Sequence, residues 1–394
     1  MARAIHARFV VTADGPPVSD GAIVEDADGW IVDLGPAAEI LPRHAGADVV
    51  RVEGIVLPGL VNAHTHLELS ALAGRVPAGL GFVAWVDRLM RARAEVDDDE
   101  ASRGADAAVD ELRAFGTAAV GEVTNTGMAE GALARAGMYA CIFHEVFGLR
   151  RTADRGPPTV SSGRRIRVPC AHAVHTTHPD VVRRIATEAR ASGRRTSIHL
   201  AEHPGERLAI EEGAGPMAAW IAARSALPAG EILWPRRPLF DVADELGLLA
   251  PHVLLVHLTD ARPDEIRRVT RGGAPVVLCP RSNLWIEGAT PPVEALLRAG
   301  VVPALGTDSL ASNASLDVLE EAATLARRFP DLRADLLVEM ATRAGADALG
   351  FPHLGRIARG TRPGLLAVEA PISADPARFL LDHVDLPRAW VSAP

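Results

Sequence analysis

Four short stretches hold the side chains best suited to binding and using a metal ion. The first is His64-Thr-His66 at the end of an apolar run. Residues i and i+2 of a strand project to the same face, so both imidazoles reach one ion, and neutral imidazole suits Zn2+ or Fe2+. The second, His199-Leu-Ala-Glu202, offers another imidazole and a carboxylate that need not bind metal. The third is His257 after Leu-Leu-Val, and the fourth is Asp308 in Gly306-Thr-Asp-Ser. Taken singly, His257 reads as a hydrogen-bonded core residue and Asp308 as a helix cap. Taken together, they place His or Asp at the ends of four separate apolar runs, and such a set supports metal-assisted hydrolysis. Ser282 and Asn283, in Cys279-Pro-Arg-Ser-Asn283, add hydrogen-bonding groups at the mouth of the same site. His172, His175 and His178 follow another run; they are too many to join one ion beside the others, so one is expected to orient substrate.

These side chains need elements to carry them. Apolar runs occur at residues 55–63, 118–123, 140–146, 166–172, 196–200, 253–257, 275–279 and 301–305. Helical patterns separate most of them, at 83–94, 100–115, 179–191, 261–271 and 292–299. Alternation of this kind predicts an α/β chain folded as a (β/α)8 TIM barrel, whose active site lies at the C-terminal ends of the strands. The reactive residues follow the runs, as that architecture requires. The two ends of the chain read differently, as short strands separated by Gly, Pro and Asp. They are expected to pair as a small β-sandwich domain made of 1–56 and 360–394, leaving 57–359 as the catalytic barrel.

Composition narrows the function further. The chain has 394 residues, a net charge of −9 and a pI near 5.9. It therefore lacks the basic footprint of a nucleic-acid binder. All 41 basic residues are arginine, so a Schiff-base lysine and a lysine-bearing phosphate loop are both excluded. Three scattered cysteines, Cys141, Cys170 and Cys279, argue against a disulfide framework. Neither a signal peptide nor an apolar run of membrane-spanning length is evident. The expectation is a cytoplasmic enzyme acting on a small molecule, without a nucleic-acid or membrane partner and compatible with a homodimer.

In Pro58-Gly-Leu-Val-Asn-Ala-His-Thr-His66, His199-Leu-Ala-Glu202, Cys279-Pro-Arg-Ser-Asn283 and Gly306-Thr-Asp-Ser-Leu-Ala-Ser-Asn313, the sequence resembles the amidohydrolase superfamily, in its mononuclear deaminase and chlorohydrolase-like branch. The resemblance implies one Zn2+ or Fe2+ held by His64, His66, His199 and Asp308. The carboxylated lysine that commonly bridges two metals in relatives has no counterpart here. It also implies Glu202 as the proton shuttle, Asp308 as acceptor of the water proton, and His257 as a partner of the attacking water or a ligand. The implied function is hydrolytic deamination of an adenine-type nucleoside or related amino-heterocycle, with 6-amino-6-deoxyfutalosine among the substrates. Dechlorination or amide ring-opening of another heterocycle on the same scaffold is the alternative. His172 falls where relatives carry a substrate-contacting His, although the Pro and aromatic that follow it there are missing. Trp85 reads equally as a base-stacking residue or as a core contact, and Glu68 either as a ribose contact or as the salt-bridge partner of an arginine.

Overall fold

The computed structural model describes residues 2–150, 159–225, 227, 231, 234–371 and 375–394. Contacts divide the chain into two compact units. The first comprises Met1–Ala63, Asp110–Val120 and Asp317–Pro394; the second comprises His64–Val109 and Gly121–Leu316.

In the first unit the two ends of the chain share one six-stranded sheet. Its order is Ala389–Ser392, Leu365–Glu369, Asp48–Pro58, Arg3–Val10, Val18–Glu25, Ile31–Pro36. The pair Arg3–Val10 and Asp48–Pro58 is parallel and the other pairs are antiparallel. Period-2 alternation sends Ile5, Ala7, Val10, Ile23, Ile31 and Val56 into one apolar cluster. Ala4, Ala22 and Val24 face the other way and are covered by Ala37 and Ile40 of the helix Ala37–Arg43. The turn before Ile31–Pro36 is made by Asp26, whose carboxylate accepts from the N–H of Asp28 and of Trp30, each at 2.9 Å.

The run at 55–63, expected as one strand, is two. Asp48–Pro58 belongs to the six-stranded sheet and Leu60–Thr65 to another. The break is at Gly59, where a Cβ would stand 2.7 Å from Ala118 Cβ and 2.8 Å from the Pro363 carbonyl oxygen. Only glycine permits that approach.

The second unit holds the alternating part of the chain. One sheet, ordered Leu60–Thr65, Thr117–Thr124, Tyr139–Val146, Arg165–Ala171, Val160–Ser162, begins in the first unit. The other is parallel, ordered Thr196–Leu200, Val253–His257, Val276–Leu278, Ala304–Leu305. Isolated parallel bridges, Ala173 to His199 and Thr65 to Asp308, link residues of one sheet to residues of the other. The strands are buried on both faces, which is why each reads as an unbroken apolar run. Val160–Ser162 was not expected. It is exposed and pairs antiparallel with Arg165–Ala171.

The helices between strands follow ordinary signals. In Pro179–Ser192 the His178 ring accepts from the Asp180 N–H, Pro179 opens the first turn, and Gly193 closes the helix in the left-handed region. Val181, Val182, Ile185, Ala186 and Ala189 form its buried stripe. No helix among the described residues is long and apolar enough to cross a membrane.

Candidate active site

The strand ends converge as the sequence suggested. His64 lies in Leu60–Thr65, His199 in Thr196–Leu200, His257 ends Val253–His257, and Asp308 follows Ala304–Leu305 by three residues. The backbone ties two of them directly: the N–H groups of Thr307 and Asp308 both donate to the His64 carbonyl, at 3.0 and 3.1 Å. Ring centroids of His64 lie 5.0 Å from those of His66 and of His199, and 5.9 Å from that of His257. Asp308 Oδ1 is 3.8 Å from His64 Nε2 and 3.6 Å from His66 Nε2. Ligand atoms of His64, His66 and Asp308 lie within 4.8 Å of one another, as do those of His64, His199 and His257.

The polar atoms are arranged for a cation. His64 is 1% exposed, and neither of its ring nitrogens has a hydrogen-bond partner. A buried imidazole left without partners is costly in a folded protein unless an ion takes its lone pair. His199 Nδ1 donates to the His172 carbonyl at 2.9 Å, which leaves Nε2 as the lone-pair nitrogen. Asp308 Oδ2 accepts from the Ser282 and Ser312 hydroxyls at 2.6 and 2.9 Å, so Oδ1 is the oxygen turned to the histidines. Burial holds His64 neutral by pushing its pKa well down, and pushes His199 down to about 3. Burial opposes ionisation of Asp308. The facing imidazoles of His66 and His257 and the Ser282 hydroxyl outweigh it and hold the carboxyl below its ordinary value. Neutral imidazoles around an ionised carboxylate fit a divalent metal.

One carboxyl flanks this group next to His257. Glu202 touches His257, Oε1 to Nε2 at 3.6 Å. Burial raises its pKa well above the carboxylate range, and Asp308, Glu206 and Glu287 add to the rise. Burial and these acidic neighbours thus favour the protonated form of Glu202. His257, pushed down to about 4 by burial, accepts from Asn283 Nδ2 on its Nδ1 at 3.3 Å and so carries its proton on Nε2, toward Glu202. A pocket opens beside them, lined in part by Phe82, Glu202, Asp260, Asn283 and Glu287.

The backbone is under strain here. His257, Leu258, Ala201 and Asp308 all have positive φ, at 76°, 51°, 50° and 56°. Each such residue costs on the order of 1–3 kcal/mol and persists only where the surroundings enforce it. One enforcing contact is Arg207. Its guanidinium donates to Glu265 at 2.8 and 2.9 Å, and to the Asp260 carboxylate at 2.8 Å and carbonyl at 3.0 Å. It thus pins the segment after Val253–His257 to the helix that follows Glu202. Replacing Arg207 by methionine is expected to destabilise the fold by about 3–5 kcal/mol, since buried carboxylates lose their cation; denaturant unfolding checks this. Close packing enforces the other side. A Cβ on Gly306 would meet His64 Cβ and the His64 carbonyl oxygen, each at 2.7 Å. Gly306→Ala is expected to displace His64, costing about 1–3 kcal/mol and lowering bound metal in elemental analysis.

The sequence model of the amidohydrolase family matches residues 55–386. The chain belongs to the amidohydrolase family. An aminodeoxyfutalosine deaminase of Deinococcus radiodurans is 31% identical over 373 residues, covering 88% of this chain and 86% of that one. Among solved structures, the aminofutalosine deaminase of Helicobacter pylori in complex with methylthio-coformycin aligns with a TM-score of 0.85 at 20% identity, over 99% of this chain and 97% of that one. A zinc-bound adenosine deaminase of Xanthomonas campestris aligns with a TM-score of 0.78 at 26% identity, over 97% and 88%. These likenesses imply an α/β fold of the TIM-barrel type; members of the family bind a divalent metal, and this chain carries candidate His and Asp ligand groups for one.

Other residues singled out in the sequence lie differently. In this amidohydrolase Glu68 is saturated by the protein. Its Oε2 accepts from Thr124 Oγ1, Thr126 Oγ1 and the N–H groups of Asn125 and Thr126, and its Oε1 from Arg93. Trp85 is 6% exposed, packs with Leu72, Val76, Ala92 and Ile286, and donates to the Ala311 carbonyl at 3.4 Å. Both brace the site from behind. His172 does face it, with its ring 5.0 Å from His199 and its Nδ1 on Thr176 Oγ1 at 2.5 Å.

Sequence reasoning missed two buried acids. Glu122 accepts from the Leu67 N–H at 3.0 Å and so fixes the turn after His66. Glu145 Oε1 lies 3.8 Å from His199 Nδ1. The available signal was an acid inside each apolar run, in Val120-Gly-Glu-Val and Phe143-His-Glu-Val.

Proposed function

We propose that this amidohydrolase is a metal-dependent hydrolytic deaminase of an adenine-type nucleoside or a related amino-heterocycle, 6-amino-6-deoxyfutalosine included. The observation that carries the reading is Glu202: a half-buried carboxyl with a raised pKa beside the metal-ligand cluster, outside the ligand groups, and lining a pocket. The names of the relatives support it.

One ion, Zn2+ or Fe2+, is held by His64, His66, His199 and Asp308. The chemistry it supplies when bound is activation of water as a nucleophile near neutral pH. Asp308 Oδ1 accepts the proton of the attacking water, while Ser282 and Ser312 hold Oδ2 and keep the carboxylate aimed. His257 Nε2–H donates to the oxygen that develops charge. Glu202 gives its proton to the ring nitrogen next to the amino-bearing carbon, then takes the proton of the new hydroxyl as the carbonyl forms and delivers it to the departing amine, which leaves as ammonia. His172 and Asn283 line the path of the heterocycle, while Glu68 and Trp85 position the substrate-binding segments.

On the scale of the chain, we propose that the eight strands close into a (β/α)8 barrel over 57–359. The bridges Ala173–His199 and Thr65–Asp308 support this closure. The ends, 1–56 and 360–394, form a small β domain built on their shared six-stranded sheet rather than on two packed sheets. The protein works in the cytoplasm on a small molecule. Assaying ammonia release from adenosine, 5′-methylthioadenosine and 6-amino-6-deoxyfutalosine tests the function, and at least one is expected to release ammonia stoichiometrically with its 6-oxo product. No ammonia from any of them, with chloride or ring-opened product from a chlorotriazine or a cyclic amide, overturns the reading.

A further inference from the structure

The deamination chemistry gives no task to the buried pair Glu206 and His175. Glu206 is the third residue of the helix Pro204–Glu212, which starts two residues after Glu202. A glutamate at that place ordinarily accepts from the N–H of the residue that caps the helix, here His203. Glu206 reaches one residue further back: its Oε2 accepts from the N–H of Glu202 at 3.2 Å. The start of the helix is served otherwise, since the His203 ring accepts from the Gly205 N–H at 2.9 Å. Glu206 is 1% exposed, and its Oε1 lies 3.4 Å from Nδ1 of His175, which is buried as well.

The N–H that Glu206 holds belongs to the peptide group joining Ala201 to Glu202. The carbonyl of that same group accepts from the Asp260 N–H at 2.8 Å, so both of its polar ends are held. Fixing this one plane keeps Ala201 at its positive φ of 50° and sets the direction in which the Glu202 side chain leaves the backbone. The acceptor is itself fixed. His175 follows His172 by three residues, and the His172 carbonyl accepts from both the N–H and the Nδ1 of His199, each at 2.9 Å. The His175 carbonyl accepts from the Trp234 indole N–H at 3.4 Å. The Glu206 carboxylate thus ties the main chain of the proton-carrying acid to the segment that packs against a candidate metal ligand.

We propose that Glu206 is a positioning residue for the reaction: it holds the peptide before Glu202 and so aims that acid at the ring nitrogen. The use of the aimed proton rests on the deaminase reading; the hold on the peptide is tested without it. A misplacement of about 1 Å costs on the order of 10²-fold in rate, which sets the size of the effect.

Amide hydrogen exchange and turnover of the metal-loaded protein provide the test. Glu206→Met keeps the bulk and removes the acceptor; Glu206→Gln keeps an acceptor and removes the charge. The Glu202 N–H is expected to be protected in the parent protein and in Glu206→Gln, and to exchange about tenfold faster in Glu206→Met, the worth of one hydrogen bond. In Glu206→Met, kcat for ammonia release falls about 10- to 100-fold with KM and bound metal unchanged, while Glu206→Gln keeps most of it. On a Glu202→Gln background Glu206→Met lowers kcat no further, because the proton being aimed is already gone. If Glu206→Met does not fold, Glu206→Ala takes its place. An unprotected Glu202 N–H in the parent, an unchanged kcat, equal falls on both backgrounds, metal lost with the substitution, or Glu206→Gln as slow as Glu206→Met overturns the proposal. Failure of the deaminase reading shows separately, as a parent protein that releases no ammonia from any of the nucleosides, and the exchange rates then decide the hold on the peptide.

Discussion

Glu202→Gln is expected to retain the metal and lower kcat by about 10²–10⁴-fold, the usual contribution of a positioned general acid. The substitution keeps the shape of the side chain and removes only its proton-carrying capacity. Glu202 Oε1 approaches His257 and belongs to none of the buried ligand groups, so the metal does not depend on it. The pH profile sharpens the test. Burial, with Asp308 next, raises the pKa of Glu202, so the acid form persists above the ordinary carboxylate range and is lost as pH rises through that raised value. The parent enzyme therefore loses turnover on the alkaline side as Glu202 deprotonates, and the residual rate of the glutamine variant lacks that limb. Elemental analysis showing metal lost with the substitution would make Glu202 a ligand and contradict its assignment.

Asp308→Asn is the second large effect, and it strikes both functions of one residue. Oδ1 is the carboxylate oxygen nearest His64 and His66, and Oδ2 is occupied by two hydroxyls. An amide in its place has no charge to offer the ion and no basicity toward the water proton. Turnover is expected to fall by at least about 10⁴-fold, the upper end for loss of a general base alone, and bound metal to fall with it. Ser282→Ala leaves the charge and loosens only the aim, so its effect on metal affinity is expected at about 10–100-fold. Kinetics together with metal content across the two variants check the ordering; equal losses would mean that Asp308 acts through position alone.

The main strands and the cluster of candidate ligands were legible in the sequence for the same physical reason. Parallel strands buried on both faces leave no room for alternation, so Thr196–Leu200 and Val253–His257 stand out as apolar runs ending in histidine. Gly59 was the signal for the break between Asp48–Pro58 and Leu60–Thr65, but the contact that demands glycine comes from residues distant in the chain, Ala118 and Pro363. Side-chain direction was less accessible. Glu68 follows the metal pair by two residues, yet its partners, Thr124, Asn125 and Thr126, come from another strand end. Trp85 has an aromatic face suited to a base, yet the packing of Leu72, Val76 and Ile286 encloses it. Glu122 and Glu145 were hidden because an acid inside an apolar run identifies itself only once its neighbours are in place. Local pattern places the strands, and tertiary packing decides which polar groups face the cavity.

The central claim is a single ion bound by His64, His66, His199 and Asp308, with Glu202 standing free of it. Diffraction from crystals of the metal-loaded protein at the zinc and iron absorption edges tests this most directly. The account predicts one anomalous peak, with four ligand atoms at about 2.0–2.2 Å and the Glu202 carboxylate beyond coordination distance. A second peak of comparable occupancy beside Glu145 and His172, or Glu202 within the coordination sphere, would contradict it.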